Sequence, residues 1–226
     1  MTVLPSDPAQ RSTRFTKGNA EADAPVEAIL LAAGKSRRMG YPKPLLRIGS
    51  ETFIEVLARA ILQSVNRLIV VIGAHGEAVR AAIPADRRIT VVENPEYLRG
   101  QLSSIKTALP HIGGEAGAAM IHLADHPMVR QETFRAVVDE FRRCGKPIVI
   151  ARHGGRRGHP VIFARELFGE LAAASEDEGA RAVVAFNSAR VGYVDVEDGG
   201  VLADLDTPED LTRVGLIQAL ARPAGR

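Results

Sequence analysis

Val26-Glu27-Ala28-Ile29-Leu30-Leu31-Ala32 runs straight into Ala33-Gly34-Lys35-Ser36-Arg37-Arg38-Met39-Gly40-Tyr41-Pro42-Lys43. A short apolar run that ends at a glycine reads as a strand buried on both faces. The cation-rich loop behind it reads as the link to the next element. Outward from there, apolar runs alternate with stretches of helical spacing. Strands are expected at Arg67–Gly73, Ile89–Val92, Ala118–Ala124, Pro147–Ala151, Pro160–Phe163 and Val191–Val196. Helices are expected at Thr52–Val65, Glu77–Ile83, Gly100–Leu109, Arg130–Cys144, Gly179–Asn187 and Thr207–Leu220. Cap-like serines sit near the start of the third helix. In the last, Thr207 is the expected cap and Pro208 the first helical residue. Repeated β-α-β units imply a three-layer α/β/α, Rossmann-like, mostly parallel sheet. In such sheets ligands bind beyond the carboxyl ends of the strands, so the loops after the strands are the place to look for chemistry.

The chain has 226 residues, 46% of them apolar and 25% charged, with a formal net charge of +2. That balance gives no field for a nucleic-acid partner. Cys144 is the single cysteine, which excludes an internal disulfide framework and a cysteine-rich metal site, and fits a cytoplasmic protein. No apolar stretch is long enough for a bilayer, so no membrane partner is expected. Residues 1–24 read as a flexible polar tail, and residues 25–226 as one domain.

The loop after the first strand suits an anion. Gly34 permits close approach and positive φ, backbone N–H groups there can form a nest, and Arg37, Arg38 and Lys43 add charge. A basic surface loop remains the alternative. A P-loop is ruled out because Ile29 stands where its first glycine belongs, and a Gly-x-Ser-x-Gly elbow because Arg38 replaces the last glycine. Asp125, directly after an apolar strand, is placed either to hold a metal or to cap the following helix. Gly100, Gln101 and Ser103 offer close approach and hydrogen bonds to a base edge, or simple helix capping. Arg156 and Arg157 are phosphate ligands or a solvated hairpin tip. His75 either faces a base or is an ordinary loop histidine. His122 and His126 lack the glutamate of a His-Glu-x-x-His zinc helix, since Leu123 holds its place, so no zinc site is expected.

Residues 31–43 match Leu-Ala-Ala-Gly-x-Ser-x-Arg-Met-Gly-x-x-Lys at every fixed position, and so resemble the MobA-like nucleotidyltransferases. Further matches are Glu93-Asn94-Pro95 with Gly100-Gln101-Leu102-Ser103-Ser104, Leu123-Ala124-Asp125-His126-Pro127, Gly158-His159-Pro160, and Asp204-Leu205-Asp206-Thr207-Pro208-Glu209-Asp210. Within that family the combination looks most like the molybdenum-cofactor cytidylyltransferases. The resemblance implies transfer of a nucleoside monophosphate, CMP from CTP, to a small phosphorylated acceptor, molybdopterin, with release of pyrophosphate. It implies Mg²⁺ on Asp125 and Asp206, with Lys43, Arg37 and Arg38 acting on the phosphates. The implied nucleotide site is Leu31, Ala32, Ala33, Gly34, Lys43, Gly73, His75, Asn94, Gly100, Gln101, Ser103 and Ser104. The implied acceptor site is Arg156, Gly158, His159 and Pro160. A molybdoenzyme, or the chaperone that loads it, is the implied protein partner. Transfer to a different small phosphorylated acceptor, or nucleotide binding without turnover, are the competing functions.

Overall fold

The structure, a computed structural model, describes residues 24–216. Its elements are, in chain order, β1 Val26–Ala32, β2 Arg47–Ile48, β3 Glu51–Thr52, α1 Phe53–Ile61, β4 Leu68–Ile72, α2 Gly76–Ala82, β5 Ile89–Glu93 and α3 Gln101–Ala108. They continue as β6 Ala118–Leu123, α4 Gln131–Cys144, β7 Ile148–His153, β8 Arg156–Ala164, α5 Phe168–Ala173, α6 Ala180–Phe186, β9 Val191–Asp195 and α7 Pro208–Arg213. Seven strands form one sheet in the order β5-β4-β1-β6-β8-β7-β9. All pairings are parallel except those of β8, which runs antiparallel to β6 and β7. The expected mostly parallel α/β/α sheet is the observed one.

Strand alternation builds two cores from one sheet. In β1, Ala28, Leu30 and Ala32 face α1 and α4, where they meet Ile54, Leu57, Phe134 and Val138. Ile29, Leu31 and Ala33 face the other way, toward Leu102 and Ile105 of α3 and the α5–α6 segment. Burying each such leucine or isoleucine stabilises the fold by roughly 1.5–3 kcal/mol before entropy is counted. Thr52 and Glu55 close a reciprocal capping box at the start of α1, and Thr207 and Asp210 do the same for α7, with Pro208 next as expected. Among the described residues no helix is long and apolar enough to cross a membrane.

Four expectations change. The strand expected at Pro160–Phe163 is the second half of the nine-residue β8, paired through His153 and Arg156 at the hairpin end. The helix at Gly100–Leu109 starts without a side-chain cap, with Gly100 at φ 107° in the cap position. The last helix stops at Arg213, and Val214 and Gly215 form a turn; the expected residues 217–220 lie outside the described part. Gly34 does not take positive φ, and the left-handed residue of that loop is Ser36, at φ 51°.

Because β8 is antiparallel, its first residues lie at the same edge as the carboxyl ends of its parallel neighbours. That places five pieces together: the loops after β1, β5 and β6, the β7–β8 hairpin, and the loop after β9.

Candidate active site

The loop after β1 is held open by its own backbone. Ser36 O accepts the N–H groups of Met39 and Gly40, both at 3.1 Å, and Ser36 Oγ accepts Lys43 N–H at 2.9 Å. This turns Lys43 inward, where it is 9% exposed. Its Nζ lies 3.0 Å from Asp125 Oδ2, bonds Asp206 Oδ1, and stands 3.8 Å from Asp204 Oδ1. Arg38 pairs with the other oxygen of Asp206. Burial works against the lysine charge, but Asp125 and Asp206 outweigh it, and the Lys43 pKa is raised. Asp204 is pushed up from the usual carboxylate range by burial, then by Asp125 and Asp206. The Asp125 loop and the 204–206 loop are joined by one main-chain bond, Leu205 N–H to Asp125 C=O at 2.9 Å.

These groups floor a cleft of about 390 Å³. Leu31, Ala32, Ala33, Gly34, Arg37, Arg38, Lys43, Gly100, Gln101, Ser104, Asp125 and Asp206 all line it. A Cβ added to Gly34 would meet nothing within 4 Å, so no packing demand explains this glycine, and its backbone is bare toward the cleft. Gly73, His75, Asn94 and Ser103 do not line the cleft. Gly73 is needed for packing, since a Cβ there would lie 2.9 Å from both Ala33 and Tyr97. His75 is an exposed αL residue at the start of α2. Asn94 is buried, and its Nδ2 donates to Ser103 Oγ and Ser104 Oγ, both at 2.9 Å, while its Oδ1 accepts Glu96 N–H. The two serines therefore serve this buried network, which sets the loop from Asn94 to Gln101.

Asp125, His126 and Asp204 each offer a ligand atom, and these atoms lie within 4.8 Å of one another. Asp125 Oδ1 is buried with no hydrogen-bond partner. Two carboxylates and an orphaned buried oxygen fit a hard divalent cation. Asp206, expected beside Asp125 as a metal ligand, is not in this trio; its oxygens face Lys43 and Arg38. His122 is fully buried behind His126, with its Nε2 3.1 Å from His126 O and its ring against Phe134. Burial, then His159 and His126, hold its pKa well below the usual histidine value. His159 is likewise pushed down, to about 4, by burial and by His126, with Asp125 opposing.

A second chamber of about 510 Å³ adjoins the cleft, and Gly100 and Gln101 line both. Gly158 and His159 face it, but Arg156 and Pro160 do not; Arg157 and Arg181 do. Gly158 is also a packing glycine, since a Cβ would lie 2.2 Å from Val201 O. Sequence reasoning missed Tyr97 and Lys35 in the cleft, His126 and Asp204 in the Asp125–His126–Asp204 trio, and Arg181 in the chamber. His126 and Asp204 could have been found, because both stand inside quoted motifs.

A cleft at the strand ends, a buried lysine between carboxylates and a bare glycine loop are features an NTP transferase needs. The sequence pattern of the MobA-like NTP transferase domain matches residues 28–191, and the chain belongs to that family. The molybdenum cofactor cytidylyltransferase of Escherichia coli (strain K12) is 26% identical over 185 residues, covering 82% of this chain and 93% of that protein. The crystal structure of Rv0371c from Mycobacterium tuberculosis H37Rv superposes with a TM-score of 0.74 at 33% identity, covering 84% of this chain and 97% of that one. The manganese complex of Rv0371c gives a TM-score of 0.70 at 30% identity over 87% of this chain and 100% of that one.

Proposed function

We propose that the protein is a divalent-cation-dependent cytidylyltransferase that moves CMP from CTP to a molybdopterin-type phosphorylated acceptor. The observation that carries this reading is the meeting of Lys43, Asp125 and the 204–206 loop on the floor of one cleft. Likeness to the Escherichia coli cytidylyltransferase supports the choice of CTP and of the acceptor.

The triphosphate lies along the backbone of Ala33 to Ser36, with the base toward Gly100 and Gln101. An acceptor phosphate oxygen attacks the α-phosphorus; a new P–O bond forms, the bond to the β-phosphate bridging oxygen breaks, and pyrophosphate leaves with the electron pair. The acceptor phosphate is ionised near neutral pH, so the step needs no general base. Its obstacle is repulsion between two anions. Lys43, Arg37 and Arg38 offset that repulsion from the chain's side and stabilise the leaving group. A bound Mg²⁺ or similar ion, held by Asp125 with carboxylates of the 204–206 loop, would neutralise phosphate oxygens. Positioning by the rigid loops supplies the rest.

The deciding assay measures pyrophosphate release with Mg²⁺, molybdopterin and each NTP in turn. CTP is expected to be preferred over GTP. Equal or reversed preference would defeat the cytidylyl assignment, and nucleotide binding without release for any phosphorylated acceptor would make the protein a binding module.

A further inference from the structure

One side chain beside the acidic floor has no task in the transfer as described. Lys43 and Arg38 engage both oxygens of Asp206, and Lys43 engages Asp125 Oδ2. Asp204 Oδ1 stands 3.8 Å from Lys43, beyond hydrogen-bond distance. Three ligand groups are left over: Asp125 Oδ1, Asp204 and the ring of His126. His126 is 7% exposed, and its Nδ1 is enclosed without a partner. Its Nε2 faces Asp125 Oδ1 at 3.9 Å, and that oxygen too is buried without a partner. A separation of 3.9 Å is too long for a hydrogen bond. It suits a single ion between the two atoms, with bonds to nitrogen and to oxygen of about 2.0–2.2 Å each. The ring is also held in place. His126 N–H donates to Leu123 C=O at 3.2 Å, and His126 C=O accepts His122 Nε2–H at 3.1 Å. The His159 ring closes another side, 5.4 Å from centre to centre.

We propose that His126 is a ligand to the divalent cation beside Asp125 and Asp204, and that its nitrogen makes the site select a first-row transition dication over Mg²⁺. The proposal rests on the divalent cation of the nucleotidyl-transfer reading and narrows which ion that is. Carboxylates accept either kind of ion, so Asp125 and Asp204 do not discriminate. Mg²⁺ takes oxygen ligands in a near-ideal octahedron and gives up its water reluctantly. An imidazole beside the carboxylates therefore adds little for Mg²⁺ and much for an ion that bonds nitrogen well. Mn²⁺ is the weakest binder of the first-row series, so a preference for it over Mg²⁺ is the stringent test. His122 acts through the main chain as a positioning residue, because its bond to His126 C=O fixes the loop from which the ring projects.

Mn²⁺ alone, added to the chelator-treated full chain without nucleotide, is the probe. Its electron paramagnetic resonance signal gives the Kd, and competition by Mg²⁺ gives the preference. Pulsed measurement of the same sample shows whether a nitrogen nucleus is bonded to the ion. Wild-type protein is expected to bind Mn²⁺ with nitrogen modulation and to prefer it over Mg²⁺ at least about tenfold. His126→Gln should lose the modulation and weaken Mn²⁺ about tenfold or more, while the Mg²⁺ Kd stays within about twofold. Asp204→Asn removes a ligand that both ions accept, so it should weaken both alike and keep the modulation. Wild-type protein that binds no Mn²⁺, or binds it without nitrogen modulation, would overturn the proposal. So would modulation that survives His126→Gln, or a His126→Gln protein weakened equally toward both ions. The wild-type spectrum decides even where His126→Gln fails to fold. Failure of the transfer reading shows separately, as protein that binds no NTP with either metal.

Discussion

The cleft and the chamber share a boundary yet handle charge in opposite ways. On the floor of the cleft Lys43 stands between Asp125 and Asp206, and Arg38 holds Asp206 from the other side, while Lys35 and Arg37 line the cleft outside these pairs. In the chamber the Glu176 carboxylate is spoken for by Arg99 and Lys106, which leaves the guanidinium groups of Arg157 and Arg181 facing an apolar floor of Ile121, Ile150 and Phe163. A lysine held among its own carboxylates can wait in water without substrate and exchange partners when a cation and a triphosphate arrive. A site with surplus positive charge and apolar walls discriminates among anions. The first arrangement suits a triphosphate that brings its own cation, the second an anion with an apolar body.

Substitutions can break this contrast. Asp125→Asn should lower turnover about 10³-fold, the scale of losing a group that stabilises charge in the transition state. Its circular dichroism spectrum should match wild type, and unchanged turnover would remove Asp125 from the mechanism. Next in size is acid sensitivity. The His159 pKa is about 4 in the folded protein, below the ordinary value of 6.5. Unfolded chains therefore bind the proton first, and stability is fully present above about pH 6.5 and lost as pH falls toward 4. The loss from this residue is at most about 3 kcal/mol. Denaturant titration of the metal-free protein from pH 7 to 4.5 should show it, and His159→Asn should flatten the slope.

Two glycines sharpen the comparison further. Gly158→Ala drives a methyl group into Val201 O and should cost about 2 kcal/mol, visible as a lower melting temperature. Gly34→Ala meets no atom of the protein, so its melting temperature should stay put. A methyl group there stands where the nucleotide approaches, and CTP affinity should fall about tenfold, near 1.4 kcal/mol. A stable Gly34→Ala protein with unaltered CTP affinity would move the triphosphate off this loop.

Much of the fold was legible. β1 has the bounds its apolar run announces, and the sheet follows from repeated β-α-β units. The convergence of Lys43, Asp125 and Asp206 was legible too, because strand-end loops meet by topology. What escaped depends on partners distant in sequence. The first half of β8, Arg156 to His159, carries no apolar alternation and becomes strand only by pairing with β7. The start of α4 has no local cap; Asp198 accepts Arg130 N–H and Thr133 Oγ1–H there from a loop 68 and 65 residues further on. Ser103 and Ser104 look like base-reading or capping residues until Asn94 is found buried against them. Helix α5 is six residues long, too short to display a period. Arg181 has no signal of its own, since an arginine on a short surface helix is ordinary.

The bond from Leu205 N–H to Asp125 C=O ties the two acidic loops through main-chain atoms that side-chain exchanges at 125, 204 or 206 leave in place. The gap between the carboxylate-bearing segments is therefore a property of the main chain. Exchanging aspartate for asparagine at 125, 204 or 206 changes the hardness and charge of the donors while their anchor points stay fixed. Any shift in which cation such variants accept would consequently report donor chemistry, uncontaminated by a change in span.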